Sequence, residues 1–311
     1  MKTYKKTLQE VKIEEIDFSE RSYLFSYPER SSLLIESIKE YGLIDLPLLI
    51  LGEKGYIIVS GEGRVNALKK LSYISFQALI LPSTLSKAEL LLIALEANLW
   101  RGLNLVEKAF FIEKAELFFP KETLINILPK LGFSPHIKWY YFLKNLLKLE
   151  KPYYDLLVKN ELNPKMIELL SDLSGYEREE FLEIFHKIKP TFNEQREILE
   201  TLLDLKRREN LSSLLTPELK KILEEKEINL RKKNFFEAIE KIRFPNYYRK
   251  KEQIVKIKQN FLEKDIRVDF SPYLEKKEIT FYINSKNFDD LKKKVAFIDS
   301  YGKELFRIFE D

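Results

Sequence analysis

Tyr56-Ile57-Ile58-Val59-Ser60-Gly61-Glu62-Gly63-Arg64-Val65-Asn66-Ala67 passes from an apolar, β-branched run through two glycines into a helical pattern. The first five residues suit a strand, and the glycines let the backbone turn sharply and come close to a ligand. A helix that starts here offers unpaired N–H groups to an anion, and Arg64 adds a planar fork for phosphate oxygens. The same residues also fit a plain strand-to-helix turn with Arg64 in a surface salt bridge. The segment alone leaves both readings open.

The flanking sequence places this turn in a small mixed sheet. Val11 and Ile13 alternate with charged neighbours, as a half-buried strand does. Leu34, Ile35, Ile38 and Tyr41 form a helical stripe that Gly42 stops. Leu46–Leu51 and Tyr56–Ser60 read as a hairpin around Gly52-Glu53-Lys54-Gly55, followed by a helix over Arg64–Leu71 and a strand over Phe76–Leu81. The order β-α-β-β-α-β describes a compact α/β domain over residues 1–85.

From Ser86 the helical period takes over. Ser86 is the expected cap of a helix running toward Trp100, and a second helix covers Leu105–Phe118. Glu122–Leu131 and Pro135–Leu146 predict two helices about Gly132, with Ser134 as cap and Pro135 at the first helical position. Asn163-Pro164 starts another helix, so residues 86–190 read as all-helical. Residues 191–243 read as a connector of two charged helices. Residues 244–311 read as a small α+β unit: a helix over Tyr247–Leu262, strands at Ile266–Phe270 and Glu278–Ile283, and a helix from Phe288. The expected class is α+β.

Composition removes several chemistries. With no Cys among 311 residues, thiol catalysis, disulfides and cysteine-held metals are excluded, and two distant histidines argue against a multi-histidine metal site. No apolar run approaches the roughly 20 residues needed to span a bilayer, and the start MKTYKKTLQEVKIEE has no apolar signal region, so a cytoplasmic location away from membranes is expected. The abundance of Lys and Glu, with few Met, Cys and Gln, fits ion-pair-rich thermophile proteins and also an AT-rich genome. Net charge is only +4, from 53 basic and 49 acidic residues, so a nucleic-acid argument depends on where the charge sits. Residues 121–160 hold seven Lys against three acids, a local excess equal to that of the whole chain.

That basic stretch is a helix, a glycine turn and a second helix with an exposed start, the helix-turn-helix pattern at about 122–146. Lys130, Ser134, His136, Lys138, Tyr140 and Lys144 are its candidate contacts to double-stranded DNA. A generic helical hairpin with a solvated basic face is the alternative. Further upstream, Asn98 and Arg101 share a face at a helix end, where they either converge on a phosphate or cap the helix ahead of Gly102. Trp100, Tyr140, Tyr141, Tyr153 and Tyr154 are read as core aromatics rather than base-stacking ones, and Arg249-Lys250-Lys251 as a solvated face.

In this order the segments resemble the ParB family of partition proteins. Arg21, then Ser37-Ile38, Gly42-Leu43 and Pro47, resemble the family's opening; Gly61-Glu62-Gly63-Arg64 and Ala67 resemble its Gly-Glu-Arg-Arg-x-x-Ala box; Asn98 and Arg101 resemble its Glu-Asn-x-x-Arg box. The match covers residues 10–175. The resemblance implies an N-terminal fold shared with sulfiredoxin, whose cysteine chemistry this chain cannot perform. It also implies a CTP site formed by Arg21, Gly42, Pro47, Gly61, Glu62, Gly63, Arg64, Asn98 and Arg101, with Mg2+ and Glu96 as its metal ligand. Its further implications are a homodimer joined through the C-terminal unit, a partition ATPase as partner, and association with the nucleoid. The chain departs from the family at Gly63 and Asn66, where arginines are missing, and at Ala97, where the metal-facing Glu is missing. Glu96 lies one residue earlier, about 100° around the helix. These departures leave phosphate binding in place, argue against metal-dependent hydrolysis, and leave weak CTP turnover open. A ParB-like nuclease and a nucleotide-independent transcription regulator are the other readings.

Overall fold

The alternation around Val11 forms strand β1 (Thr7–Lys12), and the helical stripe after it forms α1 (Ser31–Tyr41), ended by Gly42 at φ +75°. Strands β2 (Leu48–Leu51) and β3 (Tyr56–Ser60) pair antiparallel, α2 (Glu62–Lys70) follows, and β4 (Ser75–Ile80) completes the expected β-α-β-β-α-β order. The sheet order is β1-β4-β2-β3, with β4 antiparallel to β1 and parallel to β2. The parallel pair forces a crossover from β2 to β4, so α2 packs with Val65, Ala67 and Leu68 in a core shared with Leu49, Ile58, Phe76 and Ala78. The computed structural model describes residues 5–29, 31–271 and 278–307 and divides into two compact units, Met1–Arg178 and Glu179–Asp311.

The helices of the first unit follow from their caps. Ser86 and Glu89 form a reciprocal capping box at the start of α3 (Lys87–Leu99), and Asn104 and Glu107 form one at α4 (Leu105–Ala115). The expected helix 122–131 is divided: α5 (Lys121–Ile127) gives way to a 3-10 turn over Leu128–Leu131, because Pro129 has no N–H for the helical ladder. Gly132 at φ +82° reverses the chain into α6 (Ile137–Leu146). This helix begins two residues later than predicted. Its cap is His136, whose Nδ1 accepts the Lys138 N–H at 3.1 Å, whereas Ser134 Oγ accepts the Trp139 indole N–H at 2.9 Å. Helices α7 (Lys151–Val158) and α8 (Met166–Ser171) follow.

Helix α9 (Gly175–Ile188) begins in the first unit and runs into the second, which contains α10 (Phe192–Glu209), α11 (Pro217–Leu223), α12 (Ile228–Arg243) and α13 (Pro245–Leu262). Residues 191–243 thus hold three helices where two were expected. The extra one, α12, buries Phe235 and Ile239 four residues apart, a stripe obscured by surrounding Lys, Arg and Glu. Antiparallel β5 (Ile266–Phe270) and β6 (Ile279–Ile283), with α14 (Phe288–Arg307), form the expected α+β end around Phe261, Ile266, Val268 and Leu305. Among the described residues, no helix is long and apolar enough to cross a membrane.

Glu107 is the charged anchor of the first unit. It is fully buried, and its two carboxylate oxygens accept from Arg101 at 2.8 and 3.0 Å, from the Asn104 N–H at 3.0 Å and from the Tyr27 N–H at 3.2 Å. Removing one member of such a pair leaves the other charge desolvated. Urea unfolding of Glu107→Ala should therefore show a loss of about 3–5 kcal/mol; a loss below about 1 kcal/mol would mean the pair holds nothing in place.

Candidate functional site

β3 delivers the chain to Ser60, and Gly61 turns it at φ +95°, ψ 23°, a conformation closed to ordinary side chains. The turn is crowded as well as left-handed: a Cβ on Gly61 would stand 3.1 Å from both Cα and Cβ of Pro47. The Gly61 carbonyl accepts the N–H groups of Arg64 and Val65, which fixes the first turn of α2. This start of α2 forms part of a cleft of about 730 Å³, within the range typical of small-molecule sites. The end of α3 lines it with Ala97, Asn98, Trp100 and Arg101, while Arg21, Ser26, Glu29 and Leu34 complete the lining with Asn66.

Three arginines face this space, each with a carboxylate nearby. Arg21 Nη1 lies 2.6 Å from Glu62 Oε1, and Arg64 Nη2 lies 3.4 Å from Asp45 Oδ2. Arg101 gives Nη1 and Nη2 to Glu107, and its Nε donates to Asn98 Oδ1 at 2.9 Å. Asn98 in turn donates to the Ala94 carbonyl at 2.7 Å. Arg101 and Asn98 therefore stiffen the α3–α4 elbow and contribute little uncompensated charge. Arg64 has the longest contact, to an exposed carboxylate, and is the arginine best placed to exchange its partner for an anion. Lys114 donates to the Arg21 carbonyl at 2.9 Å, and burial holds its ammonium below the usual lysine range.

The sequence-predicted nucleotide residues come together with two exceptions. Arg21, Gly61, Glu62, Gly63, Arg64, Asn98 and Arg101 all line the cleft. Pro47 packs behind Gly61, and Gly42 ends α1 with nothing within 4 Å of where a Cβ would be. Ser26, Glu29, Leu34, Ser60, Asn66, Ala97 and Trp100 are lining residues that the sequence reading did not assign to the site. Asn66 was reachable in principle, since it follows Gly63 by one helical turn; Ser26 and Leu34 arrive through tertiary packing. Trp100 is 73% exposed, which corrects its expected place in the core.

The metal assignment fails on the donors. Glu96 is ion-paired with Lys130 and does not line the cleft, Ala97 offers no donor, and Glu62 is held by Arg21. Among the described residues, no cluster of three or more His, Asp or Glu could hold a metal ion. The residues present do not fit Mg2+.

On the basic face, Ser134, His136 and Lys138 are exposed at the start of α6, while Tyr140 is buried. Helical geometry turns Tyr140 inward with Leu143, and its hydroxyl donates to Glu116, an interaction that pushes its pKa up to about 12. Tyr140 is thereby corrected from a DNA contact to a packing residue. Tyr141, 49% exposed, lies on the surface with Lys121, whose ammonium reaches its hydroxyl at 3.1 Å. Lys144 is paired with Glu116 and Lys130 with Glu96, so Lys138 is the least encumbered of the three candidate lysines.

No protein-family model and no curated protein matches the chain. It is similar to solved ParB structures. For the C-terminally truncated chromosome-partitioning protein ParB from Caulobacter crescentus complexed with CTP-γ-S, identity is 22% and the TM-score 0.27, covering 54% of this chain and 93% of that one. For the same truncated protein complexed to the centromeric parS site, identity is 17% and the TM-score 0.36, covering 62% and 98%. For a Pnob8-like ParB-N domain, identity is 16% and the TM-score 0.36, covering 78% and 99%.

The two glycines of the turn should respond differently to substitution. Gly61→Ala combines a positive φ with backbone crowding and should cost about 1–3 kcal/mol. At Gly63 a Cβ meets only the flexible Leu34 Cδ1, at 2.9 Å, inside a helix that favours Ala, so Gly63→Ala should cost under about 1 kcal/mol. Equal unfolding midpoints for the two variants would contradict this account of the turn.

Proposed function

We propose that the chain is a ParB-like DNA-binding protein of chromosome or plasmid partition that senses a nucleotide, CTP, in the cleft at the start of α2. One observation carries this reading. Arg21, Gly61–Arg64 and Asn98–Arg101 are far apart in sequence, and they converge on a single cavity of about 730 Å³. The left-handed Gly61 turn presents the start of a nine-residue helix to that cavity, where the helix dipole favours negative charge. Arg64 supplies the fork that grips phosphate. In this reading α5, the glycine turn and α6 form a helix-turn-helix, and Ser134, His136 and Lys138 contact duplex DNA. The chain acts as a homodimer matched to a two-fold site, in company with a partition ATPase and in association with the nucleoid.

A nucleotide-independent regulator is the second reading, favoured by the fact that Glu62 and Glu107 already satisfy Arg21 and Arg101. Calorimetry separates the two. CTP should bind the native chain, and Arg64→Ala should abolish that binding while leaving the circular dichroism spectrum unchanged; equal affinity in both proteins, or none in the native one, rejects the site. For the DNA step, Lys138→Ala should weaken duplex binding and lower the salt slope by about one. An unmoved slope would put the DNA elsewhere.

A further inference from the structure

Lys108 is a half-buried residue of α4, and its ammonium lies at the glycine turn between α5 and α6: a Cβ on Gly132 would stand 3.8 Å from its Nζ. It rests over the Phe133 ring, 5.0 Å from the centroid. That ring stacks on Trp139 of α6 at 4.9 Å, with 30° between the planes, and the Trp139 ring carries the Lys138 ammonium at 5.0 Å. Trp139 is itself fixed by its indole N–H bond to Ser134 Oγ and by an edge-on contact with Phe142. Two ammonium groups from two helices are thus held on one aromatic stack beside the exposed start of α6.

Their partners set these two apart from the other lysines of the face. Lys130 has Glu96, and Lys144 has Glu116. Among the described residues, no carboxylate forms an ion pair with Lys108 or Lys138; each lies over a ring instead. Drawing a cation partly out of water with no anion beside it costs free energy that a ring quadrupole only partly returns. Burial accordingly holds the Lys108 ammonium below the usual lysine range. An uncharged side chain would cover the Phe133 ring without that cost, so the charge itself points to an anion from outside.

We propose that Lys108 contacts a backbone phosphate of duplex DNA from α4, outside both helices of the helix-turn-helix and outside the basic stretch 121–160. The proposal rests on the duplex-binding reading above and adds a residue that reading does not contain. A phosphate contact positions the protein and carries no base information, so Lys108 strengthens binding to every sequence alike.

The test is the salt dependence of binding to a mixed-sequence duplex, followed by fluorescence anisotropy of the labelled DNA with the native chain, Lys108→Met, Lys108→Gln, Lys108→Arg and Lys138→Ala. The Met and Gln variants keep an unbranched stem and remove the charge. Each should bind roughly three- to tenfold more weakly and lower the slope of log K against log salt by about one, as the loss of one phosphate contact requires. Lys108→Arg should keep the native slope. Lys108→Met should unfold at or above the native midpoint, because it relieves a desolvated charge. If Lys138→Ala lowers the slope and neither neutral variant at 108 does, Lys108 only packs on Phe133; the contact is refuted and the duplex reading stands. If no variant moves the slope, the DNA lies elsewhere and both fall. If the native chain binds no duplex at all, the DNA reading fails and takes this inference with it.

Discussion

Glu107 has no water around it, and a dry carboxylate is tolerated only when its lone pairs are filled and its charge matched. The first unit meets that condition with groups from three places: the Arg101 guanidinium after α3, the Asn104 N–H before α4, and the Tyr27 N–H from the loop after β1. Because those groups must converge, the loop cannot drift from the α3–α4 elbow. Asn104 Nδ2 also donates to the Tyr27 carbonyl at 2.6 Å, and the Tyr27 hydroxyl donates to Asp155. Phe25 packs edge-on against Phe111, and Tyr27 does so against Phe110 and Tyr154. The loop bearing Arg21 and Ser26 is therefore a fixed wall, although it lacks regular secondary structure between residues 20 and 29.

Fixing the wall this way changes what the cleft can do. Arg101 looks, in sequence, like a phosphate clamp, but its strongest bonds go to Glu107, and a ligand reaching for it would have to leave a buried anion unmatched. Arg21 is bound less deeply, with 58% of its side chain exposed, so separating it from Glu62 costs less. Arg64 is the least constrained of the three. The cleft thus offers graded cations: Arg64 first, Arg21 at the expense of leaving Glu62, whose side chain is 12% exposed, unmatched, and Arg101 last.

Sequence patterning read the fold well wherever the determinants are local. The β-α-β-β-α-β order, the Ser86 cap and the C-terminal β5–β6 pair are visible in period, capping residues and turns. Determinants that act across space were hidden. Where α6 starts depends on His136 accepting the Lys138 N–H while Ser134 is occupied by Trp139. Tyr140 and Tyr141 are adjacent and chemically alike; which one turns inward is decided by Leu143 and by Glu116 at the C-cap of α4. At the candidate site the motifs supplied seven lining residues. Leu34 could not be found this way, because its approach to Gly63 follows from how α1 lies on α2, and Glu29 reaches the lining from the loop before α1.

Helix α4 ties these observations together mechanically. The carboxylate in its first turn, Glu107, holds Arg101 at the cleft, and the carboxylate at its C-cap, Glu116, holds both the Tyr140 hydroxyl and the Lys144 ammonium of α6. A single helix of 11 residues, rising about 1.5 Å per residue, therefore fixes the spacing between the cleft and the basic face through an acid at each end. Neither end can release its partner freely: Glu107 would be left as a buried charge, and Glu116 would leave the half-buried Lys144 unmatched. Helix α3 adds a second strut, since Glu96 reaches Lys130 in the turn before α6 while Asn98, two residues on, faces the cleft. Two helices with differently directed side chains thus connect the cleft to α6, and any rearrangement that moves one relative to the other must first break an ion pair.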